Sequence, residues 1–139
     1  MRHEKIIDPD DRTAIHGLLG TIKKAWESNN AKLLTTAFAN DAVFVTFNGL
    51  RLCGHAQILE FHEKPFATLF RGSRLEMEIF DVRRLSEKLF MAASTGGPIP
   101  AGEHKRTGEM ETYIIRHENK RWEILLFQNT PVLDERHHG

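Results

Sequence analysis

The sequence lacks the features that mark several large classes of protein. Cys53 is the only cysteine, so no intrachain disulfide can form, which fits a reducing compartment. Lysine and arginine total 19, as do aspartate and glutamate, and this zero net charge excludes a strongly basic nucleic-acid surface. The longest segment without charge, residues 89–102, is shorter than the roughly 20 apolar residues of a membrane-spanning helix. Residues 1–11 lack the apolar segment of a secretory signal, so we expect a cytoplasmic protein that contacts neither membranes nor nucleic acid.

The composition that remains is that of an ordinary folded domain. The chain has 139 residues, of which 40% are hydrophobic and 27% charged. A chain of this size buries roughly two thirds of its unfolded surface, which is enough for a core without disulfides or metals. We therefore expect a single domain over residues 1–139, with its core from about residue 12 to about residue 132.

Helical periodicity is confined to the first half of the chain. Asp8 and Pro9 are typical of a helix start, and an apolar stripe follows for about four turns. Asn29-Asn30 ends this helix and can cap a short second helix, which we expect to end near residues 40–41. A third helix begins near His55, and Pro65 predicts a kink or break inside it. The apolar stripe of the first helix consists of Ile15, Leu18, Leu19, Ile22 and Trp26.

The strand signals come mostly after these helices. We expect strands at 42–47 and 50–53, joined by a two-residue hairpin turn at Asn48-Gly49. A later strand is expected from residue 74 to beyond Val82, with a bulge near Ile79-Phe80, and a turn at 86–88 leads to a strand at 89–94, followed by a loop over 95–106. A last hairpin joins 107–117 to 121–130. Helices that precede an antiparallel run predict an α+β fold with three helices on one face of a curved, mainly antiparallel sheet.

The segment 122–127 is apolar on both faces after Glu123. The helices cover only one face of the sheet, so the other face needs a second cover. We therefore predict a homodimer that forms through the sheet face.

Several motifs resemble one superfamily. SnoaL-like proteins have a D-A pair, a strand and then the pattern G-x-x-x-x-G-x-x-x-I. Similar features here are residues 39–44 (ANDAVF), Asn48-Gly49 and residues 54–58 (GHAQI). Glu111-Thr112, residues 121–124 (RWEI) and residues 127–131 (FQNTP) resemble the SgcJ/EcaC-type branch of that group. Both belong to the nuclear transport factor 2-like (NTF2-like, ketosteroid isomerase-like) superfamily. The resemblance covers residues 12–132 approximately, and it implies a cone-shaped fold of three helices on a curved sheet.

The resemblance also implies a function. SnoaL-like proteins include isomerases, dehydratases and cyclases that move protons on polycyclic or polyketide-like substrates without a bound cofactor. The SgcJ/EcaC-type branch is often labelled oxidoreductase, but this chain has no G-x-G-x-x-G dinucleotide fingerprint. We therefore expect no nicotinamide, flavin or other cofactor. No H-E-x-x-H or comparable spacing is present, so we expect no metal site either.

Two residues are candidates for catalysis. His62 lies in an apolar helical stripe, where it is either a general acid or base or a buried structural histidine. Glu111 shares strand parity with Tyr113. It is either a pocket carboxylate with a raised pKa or a surface carboxylate paired with Lys105 or Arg106.

The candidate ligand-binding residues are mostly aromatic. These side chains either line an apolar cavity or fill the core. Gln128 and Asn129 point to opposite faces of the last strand, so only one of them can face a pocket. The candidates are Phe47, Phe66, Phe70, Met91, Tyr113, Phe127 and Asn129.

The geometry of the last hairpin predicts the pocket face. With Asn119 near the centre of the turn, Glu111 pairs with Phe127, and Tyr113 pairs with Leu125. These four residues and Asn129 then share the face that meets the helices, whereas Trp122, Ile124, Leu126 and Gln128 take the other face. Two functions stay open. One is a small cofactor-independent enzyme with an apolar or polycyclic ligand, and the other is a non-catalytic ligand-binding or dimerisation module.

Overall fold

Three helices precede most of the sheet in the computed structural model, which describes residues 7–104 and 108–132. The helices are α1 (Pro9–Glu27), α2 (Ala31–Thr36) and α3 (Gly54–Ala67). The side chain of Asp8 accepts a hydrogen bond from the Asp10 amide at 2.8 Å, and that of Asn30 accepts one from the Leu33 amide at 3.0 Å, so both predicted caps are confirmed. Within the described residues, no helix is long and apolar enough to cross a membrane.

Six strands form one sheet. They are β1 (Phe38–Val45), β2 (Arg51–Cys53), β3 (Arg74–Arg84), β4 (Leu89–Ile99), β5 (Glu109–Glu118) and β6 (Arg121–Pro131). Their order across the sheet is β2-β1-β6-β5-β4-β3, and only the β1–β6 pair is parallel. The predicted α+β class and the mainly antiparallel sheet are therefore confirmed.

The core lies between the helices and one face of the sheet, which we call the inner face. Apolar residues of α1 and α2 are buried there together with alternate residues of β4, β5 and β6. This alternation places neighbouring side chains on the opposite, outer face. The largest apolar core residues are Ile15, Leu19, Leu34, Phe38, Ile58, Phe66, Phe90, Tyr113, Ile115 and Ile124.

The bulge predicted in β3 is present, whereas the helix does not break at Pro65, which lies inside α3. The register of β3 against β4 shifts between Ile79 and Asp81, which leaves Phe80 as the extra residue of a bulge. Helix α3 ends at Ala67, two residues after Pro65. The carbonyl of Pro65 then accepts hydrogen bonds from the amides of Thr68 and Phe70, so the chain leaves the helix in a tight turn.

Some predicted boundaries were wrong. Strand β1 begins at Phe38, and the loop from β1 to β2 spans residues 46–50, because Val45 pairs with Arg51. Strand β4 continues through Ile99, where the sequence predicts a loop over 95–106. Gly96 and Gly97 adopt φ values of +139° and +135°, which other residues rarely reach. The two glycines resemble loop residues in the sequence, but here they allow the strand to continue. The last part of that predicted loop, residues 105–106, lies outside the described residues, as does Thr107, the expected first residue of the next strand.

The last hairpin has a register different from the predicted one. Its turn is made of Asn119 and Lys120, both with positive φ. Glu111 pairs with Asn129 and Tyr113 with Phe127, so the predicted pairings with Phe127 and Leu125 were wrong by two residues. A shift of two residues keeps the side-chain parity. Glu111, Tyr113, Phe127 and Asn129 therefore share one face, as predicted.

A bulge in β6 explains the remaining difference. The pairing passes from Ile114–Leu126 to Ile115–Ile124, which leaves Leu125 without a partner. The extra residue reverses the parity of the strand on its turn-proximal side. Ile124 is therefore buried in the core, and Trp122 packs against Phe90, although both were predicted on the opposite face.

Candidate functional site

A cavity opens between the helices and the inner face of the sheet. It has a volume of about 460 Å³ and is mostly apolar. A smaller cavity of about 50 Å³ lies deeper, and the two share Trp26, Phe44, Pro98 and Asn129 as wall residues. We call them the outer and inner cavities. Aromatic rings of the outer cavity come from Trp26, Phe44, Phe47, Phe61 and Phe70.

A cluster of three polar side chains borders the inner cavity. The Ser94 hydroxyl donates to Oε1 of Glu111 at 2.8 Å and lies 3.1 Å from the Tyr113 hydroxyl. Since Ser94 gives its single proton to Glu111, the Tyr113 hydroxyl donates to Ser94. All three residues are buried, and Glu111 is only 3% exposed. Strands β4 and β5 bring them together, because Ser94 pairs directly with Glu111.

Burial dominates the ionisation of Glu111. It raises the pKa of the carboxyl group to about 7, and the neighbouring charge of Glu109 adds to the increase. The hydrogen bond from Ser94 acts in the opposite direction, because it favours the carboxylate. Burial and the nearby Glu111 also raise the pKa of Tyr113. Near neutral pH, Glu111 therefore exists in both protonation states, as a group that gives and accepts protons requires.

His62 borders the outer cavity from α3. Its Nδ1 lies 2.7 Å from the Ile58 carbonyl oxygen, which can only accept, so Nδ1 carries the proton. Burial lowers the pKa of His62, which favours the neutral ring. The Nε2 atom of that neutral ring is then an acceptor. Four aromatic rings lie within 6.4 Å of the imidazole, namely those of Trp26, Phe44, Phe61 and Phe66.

Asn129 lies where the two cavities meet. Its Nδ2 donates to Oε1 of Glu109 at 2.7 Å, which fixes the orientation of the amide because a carboxylate at neutral pH only accepts. Its Oδ1 is buried, and no donor in the described part of the chain bonds to it. Gln128 is exposed and pairs with Thr112 on the outer face, so Asn129 is the residue of this pair that faces the pocket.

Gly97 makes room for the Glu109 carboxylate. A Cβ atom at Gly97 would lie 3.0 Å from Oε1 of Glu109, which is tighter than ordinary contact. Glycine at this position therefore lets the carboxylate lie directly against β4, at the wall of the outer cavity. In residues 7–104 and 108–132, no group of three His, Cys, Asp or Glu side chains is arranged to hold a metal ion.

Comparisons with known proteins support the fold. No family model matches the sequence, and no curated protein matches it. A domain of unknown function with a cystatin-like fold from Nostoc punctiforme is 26% identical, with a TM-score of 0.86 over 95% of this chain and 84% of that chain. An NTF2-like protein of unknown function from Pseudomonas putida is 13% identical, with a TM-score of 0.80 over 96% and 95%. The fold of this chain is NTF2-like.

A third neighbour of the same fold has a more specific name. It is a candidate aromatic ring hydroxylase from Novosphingobium aromaticivorans, 20% identical, with a TM-score of 0.77 over 93% of this chain and 94% of that chain. Similarity at this level shows the fold alone. The NTF2-like superfamily predicted from the motifs agrees with these neighbours, whereas the SnoaL-like and SgcJ/EcaC-type assignments stay predictions.

The NTF2-like fold brings most of the predicted site residues together. Phe47, Phe70 and His62 line the outer cavity, and Tyr113, Phe127 and Glu111 line the inner one. Phe66 lines neither of them. It is buried behind the wall, where its ring packs against Trp26 at 4.7 Å and His62 at 5.7 Å between centroids. The alternative pairing of Glu111 with Lys105 or Arg106 concerns residues outside the described part of the chain.

Met91 is not part of the cavity. It pairs with Ile114 on the outer face, and its neighbours in β4, Phe90 and Ala92, are the residues buried against the helices. Met91 was assigned to the pocket from its apolar character, but the side-chain alternation of β4 directs it to the other face of the sheet.

The sequence reasoning missed several residues of the site, four of which are central to it. Ser94 and Glu109 supply hydrogen bonds within it, and Trp26 and Phe44 form walls shared by both cavities. Ser94 had a usable signal, because it has the parity of Phe90 and Ala92 in an otherwise apolar strand. Glu109 had a signal too, because it shares strand parity with Glu111 and Tyr113.

Proposed function

We propose that this chain binds a small, apolar, ring-containing molecule and moves a proton on it. The reaction class is a cofactor-independent isomerisation, dehydration or cyclisation of a polycyclic or polyketide-like substrate, as in SnoaL-like proteins. The observation that carries the proposal is the carboxyl group of Glu111, which lies on the inner cavity among apolar walls and has a pKa of about 7. A group that titrates near neutral pH in such a place is suited to general acid–base chemistry.

Each polar residue has a role in this proposal. Glu111 takes a proton from the substrate or returns one to it, and Ser94 holds the carboxylate by the 2.8 Å hydrogen bond. Tyr113 keeps its own proton, because its pKa is raised, and donates a hydrogen bond within the cluster. His62 is a second proton acceptor through Nε2, on the wall of the outer cavity. The ring-shaped substrate lies against the aromatic side chains, and the structural neighbour named for an aromatic ring hydroxylase supports such a ligand.

A non-catalytic ligand-binding protein is the second candidate. It is favoured by the small size of the inner cavity, about 50 Å³, which admits only the end of a ligand. The two functions differ in whether Glu111 reacts with what the cavity holds.

A general proton-abstraction assay distinguishes them. In 5-nitrobenzisoxazole a base removes the proton on carbon, the C–H electron pair forms a nitrile, and the N–O bond breaks to release a coloured phenolate. We expect the wild-type chain to accelerate this reaction, with a rate that increases as Glu111 ionises near pH 7. Glu111→Gln is expected to abolish the acceleration, and Gln128→Leu on the outer face is the control. Saturable binding of the probe without acceleration over Glu111→Gln would contradict catalysis and support the binding protein.

We further propose that the chain acts in the cytoplasm as a homodimer that forms through the outer face. Val43, Leu126, Ile114 and Met91 are neighbours in register across β1, β6, β5 and β4. All four are partly exposed, so they form one continuous apolar row. The three described helices pack on the inner face, and a second copy would bury this row.

A further inference from the structure

The polar side chains of the outer cavity are acceptors of hydrogen bonds rather than donors. Glu109 borders it, and the Nε2 atom of neutral His62 also accepts. The Thr46 hydroxyl donates to Asn48, so its proton is already used. Among the described residues that line this cavity, none is a lysine or arginine. A ligand with a negative charge would therefore meet like charge and few donors.

The carboxylate of Glu109 has a defined place in this wall. The amide of Asn129 holds it at 2.7 Å, and it lies against the backbone of Gly97. This corner of the cavity thus has a negative charge that is held in place, which a cationic N–H group matches.

The aromatic walls of the outer cavity also favour a cationic ligand. Ring faces carry partial negative charge and attract ammonium groups when water is excluded. Trp26 packs against Phe70 at 5.1 Å and against Phe66 at 4.7 Å between ring centroids, so its orientation is held from two sides. The rings of Phe44 and Phe61 complete the wall.

We propose that the ligand of this pocket is an amine: an apolar ring system whose protonated nitrogen binds beside Glu109 and whose rings lie among the aromatic side chains. This inference rests on the proposed function and adds the chemical class of the ligand. The rings extend from Glu109 toward the inner cavity, where Glu111 lies. His62 does not oppose the cation, because its ring is neutral in this environment.

Three transparent bicyclic probes of one shape test the inference at pH 8. They are 2-aminodecalin, which is a cation, 2-decalol, which is neutral, and decalin-2-carboxylate, which is an anion. Calorimetry gives the affinities. The emission of Trp26 in a Trp122→Phe background reports whether a probe enters the cavity, because Trp26 lines it and Trp122 does not. We expect the amine to bind about tenfold more tightly than the alcohol, and the carboxylate to bind most weakly.

A pair of matched variants locates the preference. Glu109→Gln removes one negative charge at the cavity and is expected to bring the amine to the affinity of the alcohol. Glu78→Gln removes the same charge at an exposed position outside this cavity and is expected to change neither affinity. Equal affinities for the three probes, or tightest binding of the carboxylate, would overturn the amine inference while leaving the pocket in place. If none of the probes binds or shifts Trp26 emission, the proposed small-molecule function itself is wrong.

Discussion

Glu111→Gln is expected to stabilise the protein at alkaline pH, although it removes a hydrogen-bonded side chain. The reason is the cost of ionising a buried carboxyl group. In the folded chain the pKa of Glu111 is about 7, against the ordinary value of 4.5. The folded state therefore keeps a proton between these two pH values that the unfolded state has already released. The contribution of protonated Glu111 to the free energy of unfolding is complete below pH 4.5. It is lost as the pH increases toward 7.

The magnitude follows from the difference in pKa. One pKa unit corresponds to about 1.4 kcal/mol, so the free energy of unfolding is expected to fall by about 3 kcal/mol between pH 4.5 and pH 8. Glutamine has nearly the same shape and does not titrate. Its amide oxygen can still accept the hydrogen bond of Ser94. The stability of Glu111→Gln relative to wild type should therefore increase by about 3 kcal/mol over this range and then stay constant.

Urea denaturation at a series of pH values, followed by tryptophan fluorescence, measures this difference. The comparison isolates Glu111, because His62 and every other titrating group are present in both proteins. Glu87→Gln on the exposed turn between β3 and β4 is the control and should show no such dependence. A constant difference between Glu111→Gln and wild type from pH 4.5 to pH 8 would refute the raised pKa and, with it, the basis of the proposed chemistry.

Three further predictions test other parts of the structure. Ser94→Ala removes a hydrogen bond that favours the carboxylate, so the pKa of Glu111 should rise further above 7, as measured by carboxyl ¹³C NMR titration; a decrease would contradict the assigned cluster. Gly96→Ala should lower the free energy of unfolding by about 3 kcal/mol, because its Cβ would lie 2.0 Å from a main-chain oxygen of β3. Gly102 also has positive φ, but a Cβ there would meet open space, so Gly102→Ala should lower the free energy of unfolding by only about 1 kcal/mol in urea denaturation. Equal losses of stability in the two variants would contradict a collision at Gly96. Leu126→Arg should reduce the mass found by sedimentation from a dimer to 16.0 kDa, and a wild-type monomer at micromolar concentration would exclude the dimer.

Local patterns were sufficient for the architecture of the fold. The caps at Asp8 and Asn30 and the bulge at Phe80 each depend on a few neighbouring residues, and the structure has all of them. The extent of β4 depends instead on a partner strand. Gly96 and Gly97 have the composition of a loop. Only the close approach of Gly96 to β3 and of Gly97 to the Glu109 side chain of β5 explains why glycines continue the sheet here. Pairing between distant strands is the information that local propensity does not contain.

The face of Glu111 was predictable, but its neighbours were not. Side-chain alternation survives a register error of two residues, so Glu111, Tyr113 and Asn129 were placed on one face despite wrong partners. The bulge at Leu125 adds a single residue and reverses the alternation, which is why Ile124 was assigned to the wrong face. The sequence of β6 does not distinguish Leu125 from the apolar residues beside it. The apolar run fits either of the two possible alternations of inward and outward side chains.

The pocket has a property that packing alone does not explain. A glutamine in place of Glu111 would accept the hydrogen bond of Ser94, and a small apolar residue would fill the core. Neither would carry the free-energy cost of ionising a buried acid at neutral pH. The structure instead surrounds that acid with two hydroxyl groups and leaves a cavity beside it, in the part of the core where close packing would stabilise the fold most. Buried ionisable groups that lower stability are found where the charge itself is used. Glu111 is thus better explained by a bound molecule on which it acts, as proposed above, than by the stability of the fold.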